Sequence, residues 1–261
     1  MTASEQLGPL TPEQIAFYQA FGFVALRQAF SREETSIIER EFEIIMSEDR
    51  HGEPFDGQEN QNVEYRIVHQ LDARGLTQRV HHAAEQILGS GTILNVNSSS
   101  IFPGETPWHA DLGWHPSMRG GRSGPPIGHC YPGVHAVMYL DPLTRDTGCL
   151  RVIPCSHLLP HAVQDLLAPI HMDIPENFSP DGRIKGFDLA PTDVPCHAME
   201  SEPGDVILFS HQIWHASFGG KIGRRRISLM YKAKPTTDRE REHIQREFKL
   251  KREAEAAITR S

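Results

Sequence analysis

The clearest fold signal in the sequence is a pair of short apolar runs separated by polar residues, Gly204-Asp205-Val206-Ile207-Leu208-Phe209-Ser210-His211-Gln212-Ile213-Trp214-His215-Ala216-Ser217. Runs this short, bounded by turn residues, are typical of strands, because helices show a longer periodic pattern. Pro203 before Gly204 marks a turn. The segment therefore predicts two strands, near 205–209 and 213–218.

The same pattern of short runs rich in Val, Ile, Phe and Tyr, separated by Gly, Pro and Asp, continues on both sides of this segment. It predicts strands near 93–102, 107–111, 134–140, 148–153, 196–200, 205–209, 213–218 and 226–233. Two long segments with several Pro and Gly, 113–133 and 158–195, interrupt the strands. Loops of that length are usually functional lids or disordered insertions.

Helices are predicted before the strands. Thr11-Pro12-Glu13-Gln14 is a capping-box sequence with proline at the first helical position, and this helix should end near Gly22. A second capping box, Ser31-Arg32-Glu33-Glu34, opens a longer amphipathic helix, and a third helical stretch covers 76–88. The elements together predict a mainly β fold with flanking helices, a helix-buttressed jelly roll.

The chain length of 261 residues is compatible with one domain. We expect a single domain over 1–261, with a helical N-terminal part at about 10–90 and a jelly-roll core at about 91–234. The charged tail, about 237–261, is predicted as a helix that is solvated or packed on a partner rather than a membrane anchor.

Composition excludes several classes of function. The chain has 26 basic and 34 acidic residues, a formal net charge of −8, which argues against nucleic-acid binding. Its apolar runs are too short to span a bilayer, and its N-terminus does not resemble an export signal. The chain has four cysteines, Cys130, Cys149, Cys155 and Cys196, and they form no Cys-x-x-Cys pair. We therefore expect free thiols and a cytoplasmic protein.

Fifteen histidines make metal chemistry worth testing. Non-haem Fe(II) oxygenases hold their metal with two histidines and one carboxylate and leave the other positions open. The chain contains two His-x-Asp sequences, at His109-Ala110-Asp111 and His171-Met172-Asp173. Period-two alternation in a strand places His109 and Asp111 on one face, whereas the second sequence lies in a proline-broken segment and is predicted to be a surface loop.

The third ligand should come from a later strand, and the segment 204–217 offers His211 and His215. We choose His215, because it falls within the second predicted strand. Arg226 follows on the next strand, where alternation points it the same way as Ser228. An inward arginine needs an anionic partner, and a dicarboxylate co-substrate would supply one. The neighbouring Arg224 and Arg225 are predicted to form a surface basic cluster.

Several motifs now stand in a recognisable order, Trp108-His109-x-Asp111, Leu140-Asp141-Pro142 through Gly148-Cys149-Leu150 to Pro154-Cys155-Ser156-His157, Pro203-Gly204-Asp205, His215-x-Ser217 and Arg226-x-Ser228. Their combination, over residues 10 to 234, resembles the phytanoyl-CoA dioxygenase family. The opening Leu10-Thr11-Pro12-Glu13-Gln14, followed by Gly22-Phe23-Val24, is similar to that family's N-terminus.

The resemblance implies a double-stranded β-helix, cupin-like fold and one dioxygenase domain. It implies Fe(II) bound by His109, Asp111 and His215, with 2-oxoglutarate and O2 as co-substrates. The far carboxylate of 2-oxoglutarate is then expected on Arg226, with Ser217 and Ser228 lining the same pocket. The implied reaction hydroxylates a C–H bond of a small organic substrate and releases succinate and CO2; desaturation, cyclisation or epoxidation would use the same ligands.

Substrate contacts are expected from the segment just past the ligand pair, and from one strand that could form the pocket wall. The candidates are Trp114, His115, Arg119, Arg122 and His135; for the arginines simple solvation, and for His135 a core role, are the alternatives. The protein is expected to be a monomer or homodimer. The competing functions are a jelly-roll enzyme that does not use 2-oxoglutarate and a non-catalytic metal-binding sensor.

Overall fold

The structure of the chain is a computed structural model, and it describes residues 9–64, 66, 76–111, 132–159, 178–238, 240–242, 244, 245 and 249.

Helices begin where the capping residues predict them. Helix α1 spans Pro12–Phe21, α2 spans Arg32–Asp49 and α3 spans Leu76–Leu88. The Thr11 hydroxyl accepts a hydrogen bond from the Gln14 amide, and the Gln14 side chain accepts one from the Thr11 amide. An equivalent capping box joins Ser31 and Glu34. Helix α1 ends at Gly22, whose φ of 85° lies in the left-handed region that glycine adopts without strain.

Ten strands carry the rest of the fold within the described residues, namely β1 Phe23–Leu26, β2 Gln61–Glu64, β3 Ile93–Phe102, β4 Thr106–His109, β5 Gly133–Tyr139, β6 Leu150–Val152, β7 His197–Met199, β8 Val206–Ser210, β9 His215–Ser217 and β10 Arg224–Lys232. They form a six-stranded sheet in the order β1-β8-β5-β10-β3-β2 and a four-stranded sheet in the order β4-β9-β6-β7. Every strand pairing is antiparallel. The predicted jelly roll is confirmed.

The larger sheet is buried on both faces. Its outer face packs on the helices, where Ala136 of β5 and Leu208 of β8 belong to the same buried apolar cluster as Phe42 of α2. Its inner face packs towards the smaller sheet, where Val137 and Ile207 join Leu150 in a second cluster. Both faces of β5 are therefore mainly apolar, and His135 is a polar exception. A functional site is expected in the space between the two sheets.

Two strands, β1 and β2, were not predicted. Both lie at the edges of the larger sheet, and β2 has only one apolar residue, Val63. β1 pairs with β8, whose partner residues lie far along the chain. Edge strands need little alternation, since one side of their backbone is unpaired, so a local pattern does not identify them.

The predicted turn at Pro203-Gly204-Asp205 anchors β8 to the segment after β1. The Asp205 carboxylate accepts hydrogen bonds from the Gln28 amide at 2.8 Å and from the Arg27 guanidinium at 2.7 Å. Gly204 has φ 98°, and a Cβ on it would lie 2.6 Å from the carbonyl oxygen of Phe30. This position therefore requires glycine.

We expect Gly204→Ala to lower the free energy of unfolding by about 3 kcal/mol, because it adds an overlap with backbone to the strain of a left-handed residue. The control is Gly223→Ala, where φ is 93° but no atom lies within 4 Å of the added Cβ. That variant should lose only about 1 kcal/mol. Urea unfolding of both proteins measures the difference, and equal losses would contradict the overlap.

The charged tail lies mostly outside the described residues. Its start is visible as a hydrogen-bonded cap, in which the Glu240 carboxylate accepts from the Thr237 amide and the Thr237 hydroxyl accepts from the Glu240 amide. Within the described part of the chain, no helix is long and apolar enough to cross a bilayer.

Candidate metal centre

The fold brings the two predicted histidine ligands side by side. β4 and β9 pair in the smaller sheet, and His109 stands directly opposite His215 in their register. Their imidazole ring centroids are 4.1 Å apart. Asp111 follows two residues after His109, just beyond the end of β4, so its carboxylate reaches the same face as the alternation predicts.

The three side chains converge on one point. Oδ1 of Asp111 lies 3.9 Å from Nε2 of His109 and 3.7 Å from Nε2 of His215. One ligand atom from each of the three residues lies within 4.8 Å of the others, a group that could hold a metal ion. A six-coordinate metal with bonds of about 2.1 Å would place neighbouring ligand atoms about 3 Å apart, so only a small contraction is needed.

The backbone selects which histidine nitrogen faces this point. Nδ1 of His109 lies 2.7 Å from the carbonyl oxygen of Pro107, and Nδ1 of His215 lies 3.0 Å from that of Ile213. A carbonyl only accepts, so each Nδ1 carries the proton and each Nε2 presents a lone pair. The donor set therefore fits a divalent transition metal held by two neutral imidazoles and a carboxylate.

The charge states also suit metal binding. Burial lowers the pKa of His109 to about 4, and the neighbouring charge of His215 adds to this shift. Burial likewise lowers the pKa of His215. Burial by itself would raise the pKa of Asp111, but the imidazoles of His135 and His215 hold it well below its usual value. At neutral pH both histidines are uncharged and the carboxylate is ionised.

His135, predicted as pocket wall or core, contacts the centre directly. Its Nδ1 lies 2.8 Å from Oδ2 of Asp111, the carboxylate oxygen that does not face the two histidines. Its Nε2 is hydrogen-bonded to the hydroxyl of Ser228. The residue is 2% exposed, and burial lowers its pKa.

Arg226 lies beside the same space and has no hydrogen-bond or ion-pair partner in the described part of the chain. Its guanidinium stacks over the ring of Phe102 at 4.6 Å and forms no hydrogen bond or ion pair with any described residue. Burial lowers its pKa, which the charge of Asp111 partly opposes. Arginine nevertheless stays protonated, and a half-buried cation with little access to water is stabilised when an anion pairs with it.

The prediction that Arg224 and Arg225 form a surface cluster is wrong. Arg224 is 4% exposed and donates to the Gly148 carbonyl at 2.7 Å and to the Ser217 hydroxyl. Alternation along β10 puts it on the same inner face as Arg226. Arg225 points the other way and is ion-paired to α2 and to the end of β5 through three carboxylates, Glu39, Glu43 and Asp141.

Ser217 is fully engaged by neighbouring groups. Its hydroxyl donates to the Gly148 carbonyl at 2.7 Å and accepts from Arg224. Arg224 in turn stacks on Phe102 at 4.8 Å, beside Arg226. The serine is thus connected to the expected pocket by its hydrogen bond with Arg224. Sequence reasoning missed this contact because it predicted Arg224 to lie on the surface.

The structure also reveals a buried histidine that sequence reasoning set aside. His211 is 2% exposed, and neither ring nitrogen has a hydrogen-bond partner among the described residues. Its ring lies edge-on to His135 at 6.0 Å between centroids, in space that a side chain at Gly133 would fill. Burial lowers its pKa to about 3.

This burial predicts a pH-dependent stability. In the unfolded chain His211 has a pKa near 6.5, so between about pH 6.5 and 3 the unfolded state binds the extra proton and stability falls as the pH falls. Relative to wild type, metal-free His211→Asn should show a pH slope of the unfolding free energy that is shallower by about 1.4 kcal/mol per pH unit in this window. Replacement of the exposed His82 by Asn is the control and should leave the slope unchanged. Parallel slopes for wild type and His211→Asn would contradict the assignment.

Four predicted substrate contacts lie outside the described residues, namely Trp114, His115, Arg119 and Arg122. The second His-x-Asp sequence, at 171–173, also lies outside them, as does most of the predicted loop at 113–133. These remain predictions. His157, which matches a motif of the resemblance, contacts the carbonyl oxygen of Gln19 at the end of α1 through its Nε2.

Comparison with known proteins places this geometry in context. The family model described as phytanoyl-CoA dioxygenase matches residues 18–227. No curated protein sequence matches the chain significantly.

Several solved structures share the fold. SnoK, a non-heme alpha ketoglutarate dependent carbocyclase from nogalamycin biosynthesis, is 17% identical with a TM-score of 0.60 and 87% coverage of both chains. EvdO2 from Micromonospora carbonacea var. aurantiaca, complexed with 2-oxoglutarate, is 17% identical with a TM-score of 0.59, covering 88% of this chain and 93% of its own. EctD from S. alaskensis, with 2-oxoglutarate and 5-hydroxyectoine, is 19% identical with a TM-score of 0.59, covering 87% and 77%. At these identities the likeness establishes the fold.

Proposed function

The chain belongs to the phytanoyl-CoA dioxygenase family and is a 2-oxoglutarate-dependent non-haem iron oxygenase; we propose that it hydroxylates an unactivated C–H bond of a small organic substrate. The balanced reaction joins R–H, 2-oxoglutarate and O2 to give R–OH, succinate and CO2. One oxygen atom enters the substrate, and the other enters the new carboxylate of succinate. The substrate itself is defined only as a small molecule.

We assign the metal to His109, Asp111 and His215. Their Nε2, Oδ1 and Nε2 atoms converge, and the backbone carbonyls of Pro107 and Ile213 hold the imidazoles in the tautomer that a metal requires. Bound Fe(II) supplies the activation of dioxygen that no amino-acid side chain provides. The protein residues position that metal on one face and leave the opposite positions to the co-substrates.

The observation that carries this proposal is the guanidinium of Arg226, which lies beside the three ligands and has no partner among the described residues. A half-buried cation with no anion among the described residues fits a ligand that brings its own carboxylate, and the planar guanidinium can bind it through two parallel hydrogen bonds. We therefore assign the far carboxylate of 2-oxoglutarate to Arg226. Arg224, which stacks on Phe102 beside Arg226 and donates to the Ser217 hydroxyl, adds positive charge at the same end of the site.

Further features of the proposal concern the chain as a whole. We propose that it acts as one catalytic domain, and that Arg119 and Arg122 bind an acidic group of the substrate. Three cysteines lie in the described residues, Cys149, Cys155 and Cys196, and all are free thiols. Free thiols suit a reducing compartment such as the cytoplasm.

The test is a screen of small organic acids and natural-product-like compounds with purified protein, Fe(II), 2-oxoglutarate and O2. We expect a true substrate to give succinate in equal amount to a product that has gained one oxygen atom. A product that has lost a pair of hydrogen atoms would show that the reaction is desaturation or cyclisation and not hydroxylation. Failure of 2-oxoglutarate to be consumed under any condition, with Fe(II) still bound, would favour the non-catalytic sensor.

A further inference from the structure

We propose that His135 is a positioning residue that fixes Asp111 as a ligand through one oxygen only, and that Ser228 donates its hydroxyl proton to His135 rather than to the co-substrate. The proposal rests on the assignment of Asp111 to the metal. It concerns contacts made by this chain's own residues, which form a continuous hydrogen-bonded series from Ser228 through His135 to Asp111.

His135 is held rigidly enough to act in this way. It lies on β5 in the middle of the larger sheet, opposite Phe209 of β8 and Met230 of β10. Its ring packs on that of Phe209 at 4.7 Å between centroids. Asp111, in contrast, lies just beyond β4 of the smaller sheet, so the hydrogen bond from His135 connects the two sheets across the site.

The proton positions follow from the chemistry of the partners. An ionised carboxylate only accepts, so Nδ1 of His135 must carry the proton that it donates to Oδ2 of Asp111. A neutral imidazole has only one N–H. Nε2 of His135 therefore carries a lone pair and must accept a hydrogen bond from the hydroxyl of Ser228. The Ser228 proton is therefore committed to His135, and Ser228 has none to donate to a carboxylate of 2-oxoglutarate.

The consequence for the metal is a fixed denticity. A carboxylate whose second oxygen were free could rotate and chelate the metal, which would block a position that the co-substrates need. Donation from His135 to Oδ2 disfavours this rotation, and such outer hydrogen bonds are worth about 10–100-fold in metal affinity or activity. His135 thereby acts through Asp111 and not by contact with substrate.

Two variants separate the two hydrogen bonds. In His135→Asn the amide nitrogen can replace Nδ1 and still donate to Asp111, whereas in His135→Gln the amide can replace Nε2 and meets only Ser228. We expect His135→Gln to weaken Co(II) and Fe(II) binding by about 10-fold or more and to change the visible spectrum of the Co(II) protein. His135→Asn should keep both properties close to wild type. Met230→Leu, directly across the register from His135, is the packing control and should behave as wild type.

The outcomes distinguish this proposal from the proposed function. Equal metal affinity and equal Co(II) spectra for the Asn and Gln variants would overturn the role of His135 while leaving the iron site intact, whereas a wild-type protein that binds no Fe(II) would overturn the site itself. A measurement on wild type does not depend on the variants folding. Nitrogen-15 NMR of the His135 ring should show the proton on Nδ1, and a proton on Nε2 would overturn the proposal.

Discussion

Asp111→Ala should remove iron-dependent consumption of 2-oxoglutarate almost completely. The variant loses the only carboxylate of the three-residue group and leaves two neutral imidazoles to hold a divalent cation. Loss of an outer hydrogen bond to a metal ligand already costs about 10–100-fold, so we expect loss of the ligand itself to exceed about 10³-fold in turnover. Isothermal titration with Fe(II) under argon and succinate formation in air measure the two effects.

The control for this variant is Asp193→Ala, which removes an exposed carboxylate in the 3-10 turn at Pro191–Asp193 that is not one of the three ligands. It should bind Fe(II) and consume 2-oxoglutarate as wild type does. If Asp111→Ala kept wild-type iron affinity, the metal would have to lie elsewhere in the chain.

Arg226→Met should raise the KM for 2-oxoglutarate by at least about 10²-fold, because each hydrogen bond to a charged group contributes about 1.5–3 kcal/mol and the guanidinium would make two of them in the proposed complex. Fe(II) affinity should change little, since Arg226 is not among the ligands. Arg226→Lys should recover part of the loss, because lysine supplies the charge without the planar pair of donors. Initial rates of succinate formation against 2-oxoglutarate concentration give the KM.

The adjacent residue provides a matched control. Arg225→Met removes the same charge from the opposite face of β10, where the guanidinium is ion-paired to Glu39, Glu43 and Asp141. It should lower stability and leave the KM for 2-oxoglutarate unchanged. An unchanged KM in Arg226→Met would mean that the far carboxylate of 2-oxoglutarate binds a residue other than Arg226.

Features encoded by local chemistry were predictable from the sequence. Both capping boxes, the end of α1 at Gly22 and most strands of the core follow from residues close together in the chain. The juxtaposition of His109 with Asp111 also follows, because period-two alternation is a local property of a strand. The partner His215 could be chosen because it falls within a strand, and the register of β4 with β9 sets it opposite His109.

Features that depend on distant pairing were not predictable. β1 and β2 are strands only because β8 and β3 pair with them. Arg224 was predicted to lie on the surface because runs of charged residues are usually solvated. Its guanidinium instead donates a hydrogen bond to the carbonyl of Gly148, which is distant in the sequence. The role of His135 depends on Asp111 of the opposite sheet, and nothing in the sequence near either residue indicates that contact.

The central claim is that His109, Asp111 and His215 hold one Fe(II) to which 2-oxoglutarate binds. The most direct measurement is an anaerobic titration of the purified wild-type protein with Fe(II) and 2-oxoglutarate, followed by visible absorption. We predict a weak metal-to-ligand charge-transfer band that needs both components, saturates at one iron per chain and is absent in Asp111→Ala. A wild-type protein that develops no such band, or an Asp111→Ala variant that develops it fully, would contradict the account.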